Sequence, residues 1–149
     1  MAGVEEALAM LERLSSTTTT IKPGRRVFVV EPGRVREAFA RLADLLGSHG
    51  FYLSTIAGTD LKDEGKMRID YYVVLLPSET TIVIRTLVER ESPSVDSIAD
   101  LVPGALAGEL ETYDMLGIAF RGNPHLRRGF LVPQDVAAKA FPLRKDAGV

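Results

Sequence analysis

The sequence predicts an α+β fold: a two-layer mixed sheet of about four to five strands with helices on one face, plus an irregular C-terminal arm. Three observations carry that expectation. Apolar residues recur at helical spacing in two early stretches, a run of strands follows them, and residues 120–149 keep neither period for long.

The elements can be justified in chain order. Val4, Leu8, Leu11 and Leu14 form one helical stripe, with Glu5, Glu6, Glu12 and Arg13 elsewhere on the surface. Residues 15–20, rich in hydroxyls, read as the loop that ends this helix. Residues 26–31 contain Val27, Phe28, Val29 and Val30 and read as a short buried strand. Pro32 and Gly33 turn the chain into a second helix, in which Val35, Ala38, Phe39, Leu42, Leu45 and Leu46 share a face and Gly47 is the stop. Residues 51–57 read as a second strand, and residues 62–66 as a polar turn. Residues 67–76 and 80–88, joined by Pro77, Ser78 and Glu79, read as an antiparallel hairpin. Short helices are expected over residues 94–101 and 108–116.

The chain then changes character. Pro124, Pro133 and Pro142, with Gly122 and Gly129, interrupt regular structure repeatedly, while Phe and Leu side chains keep appearing. Such a segment cannot bury its own apolar groups. It carries Arg121, Arg127, Arg128, Lys139, Arg144 and Lys145 against Asp135 and Asp146, whereas residues 1–119 are net acidic. A basic, apolar, irregular segment beside an acidic body implies two parts: a scaffold domain over residues 1–119 and an extended docking arm over residues 120–149.

Composition narrows the function classes. With 149 residues and 46% apolar content the chain is one domain able to bury a core. A net charge of −2 gives no general attraction to nucleic acid or membranes. The absence of cysteine excludes disulfides and cysteine-ligated zinc or iron–sulfur centres, and fits a reducing cytoplasm. No run approaches the roughly 20 apolar residues of a spanning helix, and no secretory leader is visible, so membrane association is expected only through a partner.

Few residues carry catalytic chemistry. His49 falls at a helix end and His125 in the irregular segment, too far apart in sequence for an evident metal pair. Neither a glycine-rich phosphate loop nor a nucleophilic-serine motif occurs. Asp60, after Gly58 and Thr59, reads as a turn cap or a functional carboxylate at a strand end. Glu109, Glu111 and Asp114 crowd one helical segment, and Glu111 and Asp114 share a face at i, i+3. Like charges there cost a few tenths of a kcal/mol, roughly, unless cations answer them. Arg127 and Arg128 follow closely enough to fold back as those cations, which would make the segment a clamp that sets the direction of the arm.

These residues also carry a resemblance. Glu109-x-Glu111-x-Tyr113-Asp114-Met115-x-Gly117-Ile118-x-Phe120-x-Gly122-x-Pro124-x-Leu126-Arg127-Arg128 resembles the signature of the 30-kDa subunit family of respiratory NADH dehydrogenase (complex I). Energy-converting hydrogenases and formate hydrogenlyases have a homologous subunit. Pro142-Leu143-Arg144-Lys145-Asp146 resembles the family's second signature. Thr59-Asp60, the strand at 71–76 and Pro93-Ser94-Val95 resemble it in the expected order, so the likeness spans roughly residues 25–146. Departures are Leu110 for a usual Arg, Asn123 for a common His, His125 for a common Asp, and a missing Trp.

The resemblance implies a cofactor-free subunit without a catalytic site. Its partners would be a large hydrogenase-like subunit and neighbouring peripheral-arm subunits near a quinone site, with no nucleic acid and no direct membrane contact. It implies a cytoplasmic location on the inner face of the cell membrane. The competing expectations are a free-standing ligand-binding α+β domain built on Asp60, Glu109 and Asp114, and an RNA-binding module using the basic segment. The acidic body and the lack of exposed aromatic stacking motifs weigh against RNA.

Overall fold

A computed structural model of the chain describes residues 2–21, 24–132, 137 and 140–146. Pro133, Asp135 and Lys139, named above, lie outside the described residues. The elements run α1 (Ala2–Leu14), β1 (Thr17–Ile21), β2 (Arg25–Val29), a 3-10 turn at Pro32–Arg34, α2 (Val35–Leu46), β3 (Phe51–Leu61), a second 3-10 turn at Lys62–Glu64, β4 (Lys66–Leu75), β5 (Thr80–Glu89), β6 (Ser94–Asp96), α3 (Ala105–Leu116) and β7 (Ala119–Arg121).

The main sheet has five strands in the order β1-β2-β5-β4-β3. It is mixed: β2 runs parallel to β5, and the other pairs are antiparallel. Alternation decides its two faces. On β4, Met67, Ile69, Tyr71, Val73 and Leu75 are fully buried and meet Ile82, Ile84 and Val88 of β5 in one core. That core is closed by Ala7, Leu11 and Leu14 of α1 and by Val35, Phe39 and Leu42 of α2. The Phe39 ring sits edge-on to Tyr71 at 5.2 Å between centroids. α3 packs on β3 of the same face. Two glycines set that approach: a Cβ on Gly58 would fall 2.5 Å from Leu116 Cδ1, and one on Gly108 would fall 3.1 Å from Ile56. The helices therefore share one side of the sheet, and Gly47, at φ 74, ends α2.

Four local expectations are corrected. Residues 15–20 are not all loop, because Thr17–Ile21 forms edge strand β1 against β2. Four successive β-branched threonines favour an extended chain, and β2 offers a ladder to complete. Residues 94–101 are not a helix. Ser94–Asp96 pairs in parallel with Ala119–Arg121, and the N–H of Ile98 is taken by the Glu109 carboxylate 2.8 Å away. Those outside partners satisfy the groups a helix would have had to satisfy internally. The irregular segment accordingly begins with a strand, since β7 includes Phe120 and Arg121. α3 also starts at Ala105, three residues before Gly108, where the sequence places its start.

Candidate functional site: three carboxylates that anchor the C-terminal chain

The acidic segment lies on α3, but its three carboxylates part company. Glu109 and Asp114 are fully buried, whereas Glu111 is exposed. The i, i+3 pairing of Glu111 with Asp114 therefore brings no common site together, and Glu109 and Asp114 collect different donors.

Asp114 lies toward the C-terminal end of α3 and organises the chain that returns past it. Its Oδ1 accepts the Gly129 N–H at 2.8 Å and Arg128 Nε at 3.1 Å, and its Oδ2 accepts the N–H groups of Leu131 and Val132 at 2.8 Å each. Burial alone would push this carboxyl up. The N–H groups of Val132, Leu131 and Gly129, with Arg128, outweigh it and hold it down at about 2. Arg128 also donates to the Ala137 and Ala140 carbonyls at 2.7 Å each, and its guanidinium lies 3.9 Å from the centroid of the Phe141 ring. It is thus the fold-back cation anticipated from the sequence. Arg127 is not: it is exposed, and it lies over Phe130 at 5.8 Å.

Asp60, buried on β3, is the second anchor. Arg90 grips it in bidentate fashion, Nε at 2.7 Å and Nη2 at 3.0 Å, and the Lys145 N–H adds a bond of 2.8 Å. The bond from Arg90, against the effect of burial and with the help of Lys145, holds Asp60 at about 2. Arg90 reaches Asp146 as well, at 3.1 Å, and its pKa is raised first by the bond to Asp60. Arg144 lies 3.4 Å from Asp146, and its Nη2 is 3.4 Å from the Arg90 carbonyl.

Glu109 is the third anchor and, among the described residues, bonds to no cation. Its Oε1 accepts from Ser97 Oγ at 2.6 Å and Asn123 Nδ2 at 2.9 Å, and its Oε2 accepts from the Ile98 N–H. Burial raises its pKa against these donors. Asn123 in turn accepts the His125 N–H at 2.9 Å.

The other signature residues are distributed around these anchors. Gly117 caps α3 at φ 79, its N–H bonding the Tyr113 carbonyl at 2.8 Å, and Phe141 fills the space where a side chain would project. Tyr113 meets Phe141 edge-on at 6.0 Å. Phe120 is buried in the core and Leu126 packs against it. Gly122 adopts φ 88 at the turn after β7. Pro124 is exposed, Pro142 is half-buried, and Leu143, with an exposed side chain, donates its N–H to the Met115 carbonyl at 2.9 Å.

Sequence reasoning missed Arg90 and Ser97, and it registered Asn123 only as a departure from the family pattern. A lone polar residue just outside a strand has no periodicity to mark it. Asp60 was noticed, and its partners were not.

A sequence profile described as "Respiratory-chain NADH dehydrogenase, 30 Kd subunit" matches residues 28–149. An NADH-quinone oxidoreductase subunit of Roseiflexus sp. (strain RS-1) is 35% identical over 118 residues, covering 78% of this chain and 66% of that one. The protein of the same name from Moorella thermoacetica (strain ATCC 39073 / JCM 9320) is 30% identical over 111 residues, covering 74% and 73%. The chain thus spans about two thirds of the length of the curated relatives it matches. A chain of the archaeal membrane-bound sulfane sulfur reductase superposes with a TM-score of 0.77 at 19% identity, over 97% of this chain and 85% of that one. A trypsin-resistant fragment of Nqo5 does so with a TM-score of 0.70 at 24% identity, over 83% and 99%. At these identities the two structures attest a common fold.

Proposed function

The chain belongs to the family of the 30-kDa subunit of respiratory-chain NADH dehydrogenase, and on that premise we propose that it is a cofactor-free peripheral-arm subunit of a complex I-like NADH:quinone oxidoreductase. In this reading it scaffolds the large hydrogenase-like subunit near the quinone site and has no catalytic site of its own. The observation that carries the reading is the family match over residues 28–149. The anchors give it physical support. Both oxygens of Asp60, Glu109 and Asp114 are engaged by the protein's own donors, which suits bracing better than binding a small ligand.

The docking arm over residues 120–149 keeps a place in this proposal, in a different form. Its inward groups hold the arm to the body, and its outward groups meet the partner: Leu131 and Leu143, 54% and 57% exposed, with Arg127, Pro124 and Lys145. Among the described residues no helix is long and apolar enough to cross a membrane. The proposed location is the cytoplasmic, inner face of the cell membrane, reached through the complex.

The equivalent subunit of an energy-converting hydrogenase is the second reading, favoured by the fold shared with the archaeal membrane complex. Names of relatives at 30% identity or more favour the first. Affinity purification of the tagged chain from native membranes decides. Co-purification with NADH dehydrogenase subunits is expected, hydrogenase subunits would select the second reading, and recovery of the chain alone would overturn both.

A further inference from the structure

Helices α1, α2 and α3 cover one face of the five-stranded sheet. The opposite face, read from the pairing registers, is built of alternate residues of every strand. Among the described residues no helix lies over it. Its centre is nonetheless dry: Val27 and Val83 are fully buried. Long side chains provide cover, with the Arg25 guanidinium reaching from β2 across β5 to the Tyr72 ring on β4, 5.8 Å from its centroid. Apolar groups ring this centre and stay open, Tyr52 at 49% and Leu87 at 39% exposure.

The charges on this face are unlike those of the rest of the chain. Arg25, Lys66, Arg68 and Arg85 stand against Asp70 and Glu89, an excess of two positive charges on a molecule whose net charge is −2. The acids are already engaged. Lys66 pairs with Glu89, and Arg85 holds Asp70 at 2.7 Å and 3.2 Å. Among the described residues that leaves two cations, Arg25, which lies over Tyr72, and Arg68. Arg68 Nη2 makes one long bond of 3.4 Å to Thr59, and Arg68 Nε lies 3.3 Å from Asp70 Oδ2 without the alignment of a hydrogen bond, a buried donor with no acceptor among the described residues. A guanidinium has five N–H donors, and a buried one left unmatched is costly.

We propose that this open sheet face is a second docking surface, separate from the C-terminal arm, and that it receives an acidic protein segment whose carboxylate pairs with Arg68 while apolar neighbours cover Tyr52 and Leu87. A planar guanidinium beside open apolar groups suits a carboxylate flanked by apolar side chains. Nucleic acid fits poorly, since phosphate binding needs many free cations and Asp70 sits among these. The proposal rests on the assembly reading above, because the segment belongs to a neighbouring subunit.

The test replaces Tyr52, Leu87 and, as a control on the outer side of α2, Leu45 one at a time with a photo-crosslinking phenylalanine analogue in the full chain, followed by purification of the assembly. Positions 52 and 87 should give adducts to one Asp/Glu-rich segment of the same neighbouring subunit, and position 45 should give none to it. Arg68→Gln should lower retention of that subunit by roughly tenfold or more, with incorporation through the arm preserved. An assembled chain without adducts at 52 and 87 overturns the face and leaves the assembly reading intact. So do adducts to a second copy, a nucleic acid, a lipid or a segment without carboxylates. A chain that co-purifies with nothing overturns both.

Discussion

The sheet-and-helix body and the stretch from Gly122 onward are held together by different means. In the body, order comes from repetition: ten paired positions join β4 to β5, and their inward side chains fill one core. Each residue contributes a little, and several could change modestly before the fold failed. In the C-terminal stretch, order comes from single residues. Asp114 alone fixes three backbone N–H groups and an arginine, and Asp60 fixes an arginine and one more N–H. A buried carboxylate can stand in for a ladder, and it concentrates the risk in one side chain.

The strongest way to break that comparison is Asp114→Ala. It strands three N–H donors and the Arg128 guanidinium, a loss of about 3–5 kcal/mol by the measure of broken buried charge pairs. Limited proteolysis should then cut between Arg127 and Lys145 well before the body. Equal resistance of both regions would show that apolar packing holds the stretch by itself.

Acid should separate the regions next. Asp60 and Asp114 sit at about 2 when folded, against roughly 3.9 unfolded. A depressed carboxyl stabilises above its unfolded pKa and loses that contribution as pH falls toward the folded one. Each therefore contributes roughly 2 kcal/mol at neutral pH that disappears between about pH 4 and 2. Hydrogen exchange across that window should show residues 128–132 opening before β4 and β5, and simultaneous opening would remove the distinction.

The two adjacent arginines sharpen the comparison further. Arg128→Ala, which leaves Asp114 its three N–H donors, should cost roughly 2–3 kcal/mol, and Arg127→Ala within about 0.5 kcal/mol. Thermal melts of the single variants measure this directly, and equal shifts would be against it. Read as a pair of docking residues, the two arginines could both be removed with little effect on the melting temperature. The bonds of Arg128 put part of that loss inside the fold, so a test of docking needs Arg127→Ala alone.

Glu109→Gln should be the mildest change. Burial raises the pKa of Glu109, so its charged form opposes folding as pH rises through the folded value, and protonation relieves the cost. The neutral amide removes that term but opposes an N–H to that of Ile98, and the two effects offset to within about 1 kcal/mol. As pH rises above the ordinary glutamate range, the melting temperature of the variant should fall less than that of the parent chain. An unchanged pH dependence would show that Glu109 does not titrate there.

The same contrast explains what could be read in advance. α2, β4 and β5 were legible because each displays its period several times over. β1 was hidden because threonine serves loops and strands alike, and only the partner β2 decides. β6 was hidden because its ladder partner, Ala119–Arg121, is distant in sequence. In the anchors, Glu109, Asp114 and Arg128 stood out as a cluster of charge. Their pairing did not, since Glu111 and Arg127 look alike in sequence and differ only in burial.

The long reach of the Asp60 anchor has a consequence for the order of folding. The chain is synthesised from its N-terminus, and domains begin to fold as they emerge. Asp60 is made 30 residues before Arg90 and 85 residues before Lys145, while Asp114 waits 18 residues for Val132. The body can thus assemble around a carboxylate whose last donor has not yet been translated. Closing the C-terminal stretch is the late step of biogenesis, and the outer surface of the arm takes shape only once that step is done.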